Sequence, residues 1–194
     1  MALWGTSDSD ESKPKNLTTT EKKEVFANAT GWVREAGSAF SGNNNTNADP
    51  EILVAVSGLA VSLGAADVTE VEWITTTADK SAGFTLSIRV RYNEAVDVTG
   101  NPTLAVTNGN QGSGSGRGPH TLAYASGTGT NELVFSLAIA AANAATNEDD
   151  VLVVGAQNIA LAGGTLKDKG TSTNSAVAIS AAQGTACGSV TVVA

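Results

Sequence analysis

The chain has 194 residues, of which 41% are hydrophobic and only 5% aromatic, with a net charge of −8. So acidic a surface lacks the Lys/Arg patches that polyphosphate or anionic membrane requires, so neither nucleic acid nor membrane is an expected partner. No apolar run approaches a membrane span, the N-terminus is too polar to read as a signal peptide, and the single Cys187 cannot close an internal disulfide, a combination expected of folding in a reducing cytosol.

Met1 to Lys15 is polar apart from Leu3 and Trp4 and is expected not to fold alone. Trp4 reads either as an incidental exposed ring or as an anchor for a neighbouring surface. Leu17 to Asn28 is the one helix expected, because Thr18 and Glu21 have the spacing of a capping box. Val25, Phe26 and Trp32 would give that segment an adhesive end. The polar stretch from Ser41 to Pro50 closes it. Residues 1–67 are therefore read as an assembly-contact arm with one short helix, and its contact residues as Leu3, Trp4, Leu17, Val25, Phe26 and Trp32.

Residues 68–194 read as a β-domain. From Phe84 to Asn93 the chain alternates: Phe84, Leu86, Ile88, Val90 and Tyr92 share one face, and Thr85, Ser87, Arg89, Arg91 and Asn93 the other. A period of two means a strand with one face on a core. Thr99-Gly100-Asn101-Pro102 turns the chain. Alternating runs recur at Val68–Thr77, at Leu122 and Tyr124, and at Leu133–Ile139. Trp73 falls in one of them and is expected in the core. Short strands at this spacing, with 21 glycines in the chain, predict a mainly β, antiparallel two-sheet sandwich. Arg89 and Arg91 are expected to pair with acids on neighbouring strands.

Little in the sequence carries chemistry. His120 sits in a Gly-rich loop with no nucleophile elbow, and the loop lacks both the dinucleotide spacing and the Gly-Lys-Ser/Thr of a phosphate loop. Cys187 reads as a buried thiol in a strand. Asp97, Glu148, Asp149, Asp150 and Asp168 could hold Ca²⁺ if turns gathered three or more oxygens, but their spacing favours solvated loop carboxylates. No enzyme activity, cofactor or resident metal is expected.

In order along the chain, Ser81–Val96, Thr99–Leu104, Leu122–Phe135 and Asn158–Asp168 resemble the skeleton of a bacterial immunoglobulin-like, cadherin-like repeat of surface adhesins. The resemblance spans about residues 69–180 and implies an immunoglobulin-like sandwich. The chain departs from it by the insertion Gln111–Gly118 and by Lys169-Gly170-Thr171 where Gly-Asn is usual, which speaks against carrying calcium over. The opening (Met1–Gly5, Glu11–Leu17, Val25–Ala27, Gly31–Val33) is similar to structural proteins of marine cyanobacterial myophages. Together the two resemblances imply a bacteriophage virion protein, assembled in the host cytoplasm, whose partners are capsid or tail proteins and copies of itself. The expected role is capsid decoration through the N-terminal arm. A tail, neck, baseplate or fibre component, or a module binding host surface glycan, is the alternative.

Overall fold

The computed structural model describes residues 13–109, 119–141 and 146–194. Leu3, Trp4, the insertion Gln111–Gly118 and part of the Ala140–Asp150 connection lie outside them. A 3₁₀ turn at Glu21–Glu24 leads into β1 (Val25–Asn28), β2 (Gly31–Arg34), β3 (Glu51–Ala55) and the one-turn helix α1 (Leu59–Leu63). Then come β4 (Val68–Trp73), β5 (Ala78–Asp79), β6 (Phe84–Thr99), β7 (Thr103–Gly109), β8 (His120–Ser126) and β9 (Thr130–Ile139). The chain finishes with β10 (Val151–Val153), β11 (Gln157–Asn158), β12 (Thr165–Asp168), β13 (Ala178–Ile179), α2 (Ala181–Cys187) and β14 (Ser189–Val193).

The fold is mainly β, as the alternation predicts, and is consistent with a sandwich. One ladder runs β3-β2-β1-β6-β9-β8-β7-β10-β14-β5, with β4 and β12 also on β6 and a separate β11-β13 pair. Two contacts depart from antiparallel pairing: β1 runs parallel to β6 and β14 parallel to β5. The ladder folds over on itself, so inward residues of β6 (Leu86, Ile88, Val90), β9 (Leu133, Phe135) and β14 (Val190, Val192) share one core. Burying these apolar side chains from strands far apart in the ladder is the main drive for closure.

Strand β6 organises the molecule. At 16 residues it outruns any single neighbour. Its first half pairs with β4 and β9, its last four residues with β12, and Glu94 with Ala27 of β1. The inward positions Leu86, Ile88, Val90, Tyr92, Glu94 and Val96 are all buried, and Arg91 is the one outward position of the strand that is buried with them. Tyr92 keeps its hydroxyl satisfied by donating to the Ala176 carbonyl at 3.0 Å.

Three sequence expectations are corrected. The helix over Leu17–Asn28 is only the turn at Glu21–Glu24, after which the chain is a strand. The capping contacts do form, with Thr18 N–H donating to Glu21 and Glu21 N–H to Thr18 Oγ1. But a three-turn helix is marginal alone, and Val25 and Ala27 gain complete burial by pairing across the tight turn to β2. Second, residues 13–67 are not an arm ordered only by a partner. They carry a small core of Val25, Ala27, Trp32 and Leu59, and their hairpin joins the main ladder. The boundary at 67/68 thus divides two cores but not two sheets. Third, Cys187 ends α2 instead of lying in a strand, and burial pushes its thiol up to about 11.

Phe135 is fully buried, and its ring meets Tyr124 edge-on at 6.1 Å. Phe135→Ala should lower unfolding free energy by about 3–5 kcal/mol. Ile52→Ala on exposed β3 should change it by about 0.5 kcal/mol or less. Urea titration of the two variants checks both.

Candidate functional site

Where the N-terminal hairpin lies against the sandwich, two groups of ionisable side chains are buried. The first is built on Arg91. Its Cα partners are Glu70 on β4 and Glu132 on β9, so acids flank it on both edges. Its Nε donates to Glu72 at 3.1 Å. Its NH1 meets Glu132 Oε1 at 2.6 Å and Glu35 Oε1 at 2.7 Å, and donates to the Lys23 carbonyl at 2.9 Å. Arg89 adds weaker contacts to Glu72 and Glu132, and Lys23 pairs with Glu70 and Glu72. The expected pairing of both arginines with neighbouring acids is therefore present. Arg91, however, is only 6% exposed, because Glu35 and Lys23 of the N-terminal unit cover a face the alternation assigned to water.

Electrostatics follow from this crowding. Burial raises the pKa of Glu72, but Arg91 and Lys23 outweigh it and hold the group below its usual value. Glu132 is pushed up to about 7, by burial first and by the Glu35 charge second. Glu35, Glu72 and Glu132 crowd around one guanidinium, and their mutual repulsion favours the protonated form of Glu132.

The second group is Glu94 with Asp168. Both sit at inward positions of adjacent strands, and both are 1% exposed. Asp168 faces Val96 across the β6–β12 ladder, which makes Glu94 its diagonal neighbour on the same face. Asp168 Oδ1 accepts from Thr171 N–H and Oγ1 at 2.5 and 2.9 Å. Among the described residues Asp168 Oδ2 and both Glu94 oxygens have no hydrogen-bond donor. Burial, then the charge of Asp168, a side-chain hydrogen bond shared with Asp168, and the charge of Asp67 push Glu94 up to about 8.

Two cavities flank this seam. One of about 480 Å³ is bordered by Phe26, Pro50, Ala60, Glu94 and Lys169. The other, of about 430 Å³, is bordered by Phe26, Pro50, Glu35, Asn131 and Glu132. Of the expected contact residues, Val25 and Trp32 are buried in the small core and Leu17 packs on it, so none of the three is offered outward. Phe26 lies half-buried between the cavities. Leu3 and Trp4 are outside the described residues.

The remaining candidates have structural settings. His120 opens β8, buried, with Nε2 3.4 Å from Asn108 Nδ2 and 3.3 Å from Thr146 Oγ1, and burial lowers its pKa. Trp73 packs against the main core and donates Nε1–H to the Gly188 carbonyl. Asp150 is buried and accepts the Asn147 N–H at 2.7 Å, while Asp97, Glu148 and Asp149 are exposed. Among the described residues no group of three or more His, Cys, Asp or Glu side chains is gathered for a metal ion. Glu35 and Glu94 were missed as site residues. Glu94 had a signal, since it continues the core parity of β6 beyond Tyr92.

Compared with protein-family models, curated proteins and solved structures, the chain matches none of them.

Two measurements probe the seam. Arg91→Ala leaves Glu35, Glu72 and Glu132 facing one another without their shared cation, and should cost about 3–5 kcal/mol in chemical denaturation. Stability should also fall with rising pH. Folded Glu94 holds a proton that the unfolded chain releases, so its contribution is complete below 4.5 and is lost through about 8. Glu132 adds a loss of the same sign up to about 7. Glu94→Gln should flatten the profile, leaving the Glu132 part.

Proposed function

We propose that the chain is a non-enzymatic bacteriophage virion structural protein, a capsid-decoration subunit that docks through its N-terminal unit and projects the β-sandwich. The observation that carries the docking side is the exposed end of the ladder. Strand β3 pairs only with β2, so one edge of its backbone is free among the described strands. It presents Ile52 at 56% exposure, and Phe40 and Val61 of the same unit are also exposed. An apolar free edge is a template for adding a strand from a neighbour, and backbone hydrogen bonds would then supply affinity. The net charge of −8 favours solubility and spacing in a dense particle coat. The resemblance of the opening residues to myophage structural proteins supports the virion setting.

In this reading the partners are capsid or tail proteins and further copies of the chain, and attachment uses preformed surface along with Leu3 and Trp4. Quantitative mass spectrometry of purified particles tests it. On the order of hundreds of copies per virion supports decoration, whereas about six or twelve, the symmetry of a tail or neck, favours the alternative location. Ile52→Lys should leave the fold intact and reduce loading at least several-fold. Absence of the chain from particles overturns the virion reading, and glycan binding by the full chain would promote receptor recognition.

A further inference from the structure

We propose that Glu94 and Asp168 form a binding site for a hard divalent cation, Ca²⁺ by preference, at the seam between the N-terminal hairpin and the sandwich. The case begins with a count of oxygens. Glu94 Oε1, Glu94 Oε2 and Asp168 Oδ2 are buried with no hydrogen-bond donor among the described residues, so that only a proton shared between the two carboxyl groups could bond them. Both residues are 1% exposed, and the charged neighbours that act on Glu94 are the acids Asp168 and Asp67, while Lys169 on the rim of the same cavity turns its ammonium to the Gly129 carbonyl. Like charges facing each other away from water need a counterweight.

Two counterweights are available. A single proton shared between the carboxyl groups engages two oxygens, the donor and its acceptor, and leaves the third unpaired. A divalent cation engages all three, with Glu94 chelating through both oxygens and Asp168 through one. The rest of its shell needs water, and Glu94 borders the cavity of about 480 Å³. The other Asp168 oxygen is already held by Thr171, which fixes the carboxylate with Oδ2 left over. Of the five acids considered from sequence only Asp168 takes part, and it does so from a strand and not from a loop. Asp97, Glu148 and Asp149 take no part, and both ligands come from strand positions facing inward.

Hard oxygen donors select Ca²⁺ or Mg²⁺ over thiophilic metals. Chelation by Glu94 and a flexible water shell suit Ca²⁺ better than the strict octahedron of Mg²⁺. With only three protein oxygens the affinity is weak, in the range of about 10⁻⁴–10⁻³ M.

The test uses the full chain, stripped with chelator and held near pH 8 at constant ionic strength. Calorimetric titration with CaCl₂, and separately MgCl₂, reads binding directly. Thermal melts read its consequence: at a hundredfold excess over Kd the unfolding constant should fall about 100-fold. The expected result is one saturable site per chain, lost in Glu94→Gln and Asp168→Asn and kept in the exposed control Glu148→Gln. Binding of either metal with that residue dependence supports the site, and the stronger of the two identifies the ion. The absence of saturable binding to the unmodified chain overturns the proposal, and that readout does not depend on any variant folding. So does equal binding by Glu94→Gln, which would place the ion elsewhere. A third result counts equally against it: Glu94→Gln more stable than the unmodified chain, with a pH profile that Ca²⁺ does not alter, means the pair holds only a proton.

Discussion

Arg91 is the interaction on which the arrangement of the two cores depends. It projects from the middle of the longest strand toward a face that the hairpin closes, and among the described residues it is the only cation that Glu35, Glu72 and Glu132 all reach. A guanidinium suits that position because its planar fork offers five donors and does not lose its charge on burial. The small core under Trp32 would contribute little as a free-standing unit. Its attachment is polar: Glu35 and the Lys23 carbonyl close over Arg91, and Asn131 donates to the same Glu35 oxygen at 2.7 Å. Lifting the hairpin would strand a buried charge on each side, so the two cores are coupled more tightly than one parallel β1–β6 contact suggests.

Three residues along the same strand the logic is inverted. Arg91 lies on the outward parity of β6 and has every partner it needs. Glu94 lies on the inward parity and, among the described residues, has no hydrogen-bond donor for either oxygen. The chain breaks the apolar rule of a core strand at Glu94 and again at Asp168 on the adjoining strand, side by side. A lone polar intruder reads as an accident of packing. Two of the same sign, on neighbouring strands and beside a cavity, are a local conflict that the surrounding core was built to hold, and such conflicts concentrate where a protein does something other than fold.

Legibility in the sequence followed the range of the forces involved. The period of two from Phe84 to Tyr92 reports burial directly, so β6 and its partners β4 and β9 could be read from side-chain type alone. Arg89 and Arg91 could be matched to acids because cross-strand pairing is local once strands are known. Val25-Phe26-Ala27-Asn28 could not be read. A capping pattern favours helix there, and the strand wins through Trp32 and a parallel contact to Glu94, sixty-seven positions away along the chain from Ala27. The helix α2 was overlooked although Ser180 and Gln183 cap it reciprocally, because its Ala-Gly-Thr composition carries no apolar stripe. Glu94 was legible in principle. The alternation runs on through it to Val96, and a carboxylate in phase with Leu86 and Val90 marks a buried acid before any coordinates exist.

The folded state of residues 13–67 changes how attachment to a particle must work under the proposed role. A disordered leader gives up conformational entropy on docking, and part of the interface energy goes to ordering it. Here the hairpin, β3 and α1 are already fixed by their own core and by Arg91, so that cost is met within the subunit. What remains for a partner is surface that is rigid before contact: the free edge of β3, with Ile52 outward, and the exposed Val61 on α1 that follows it in the chain. Such a surface can bind with little rearrangement. Its orientation is set by β6, because β1 reaches the sandwich only through that strand and Arg91 locks the approach. The angle at which the sandwich projects from a particle is then determined by the same buried charge cluster that joins the two cores.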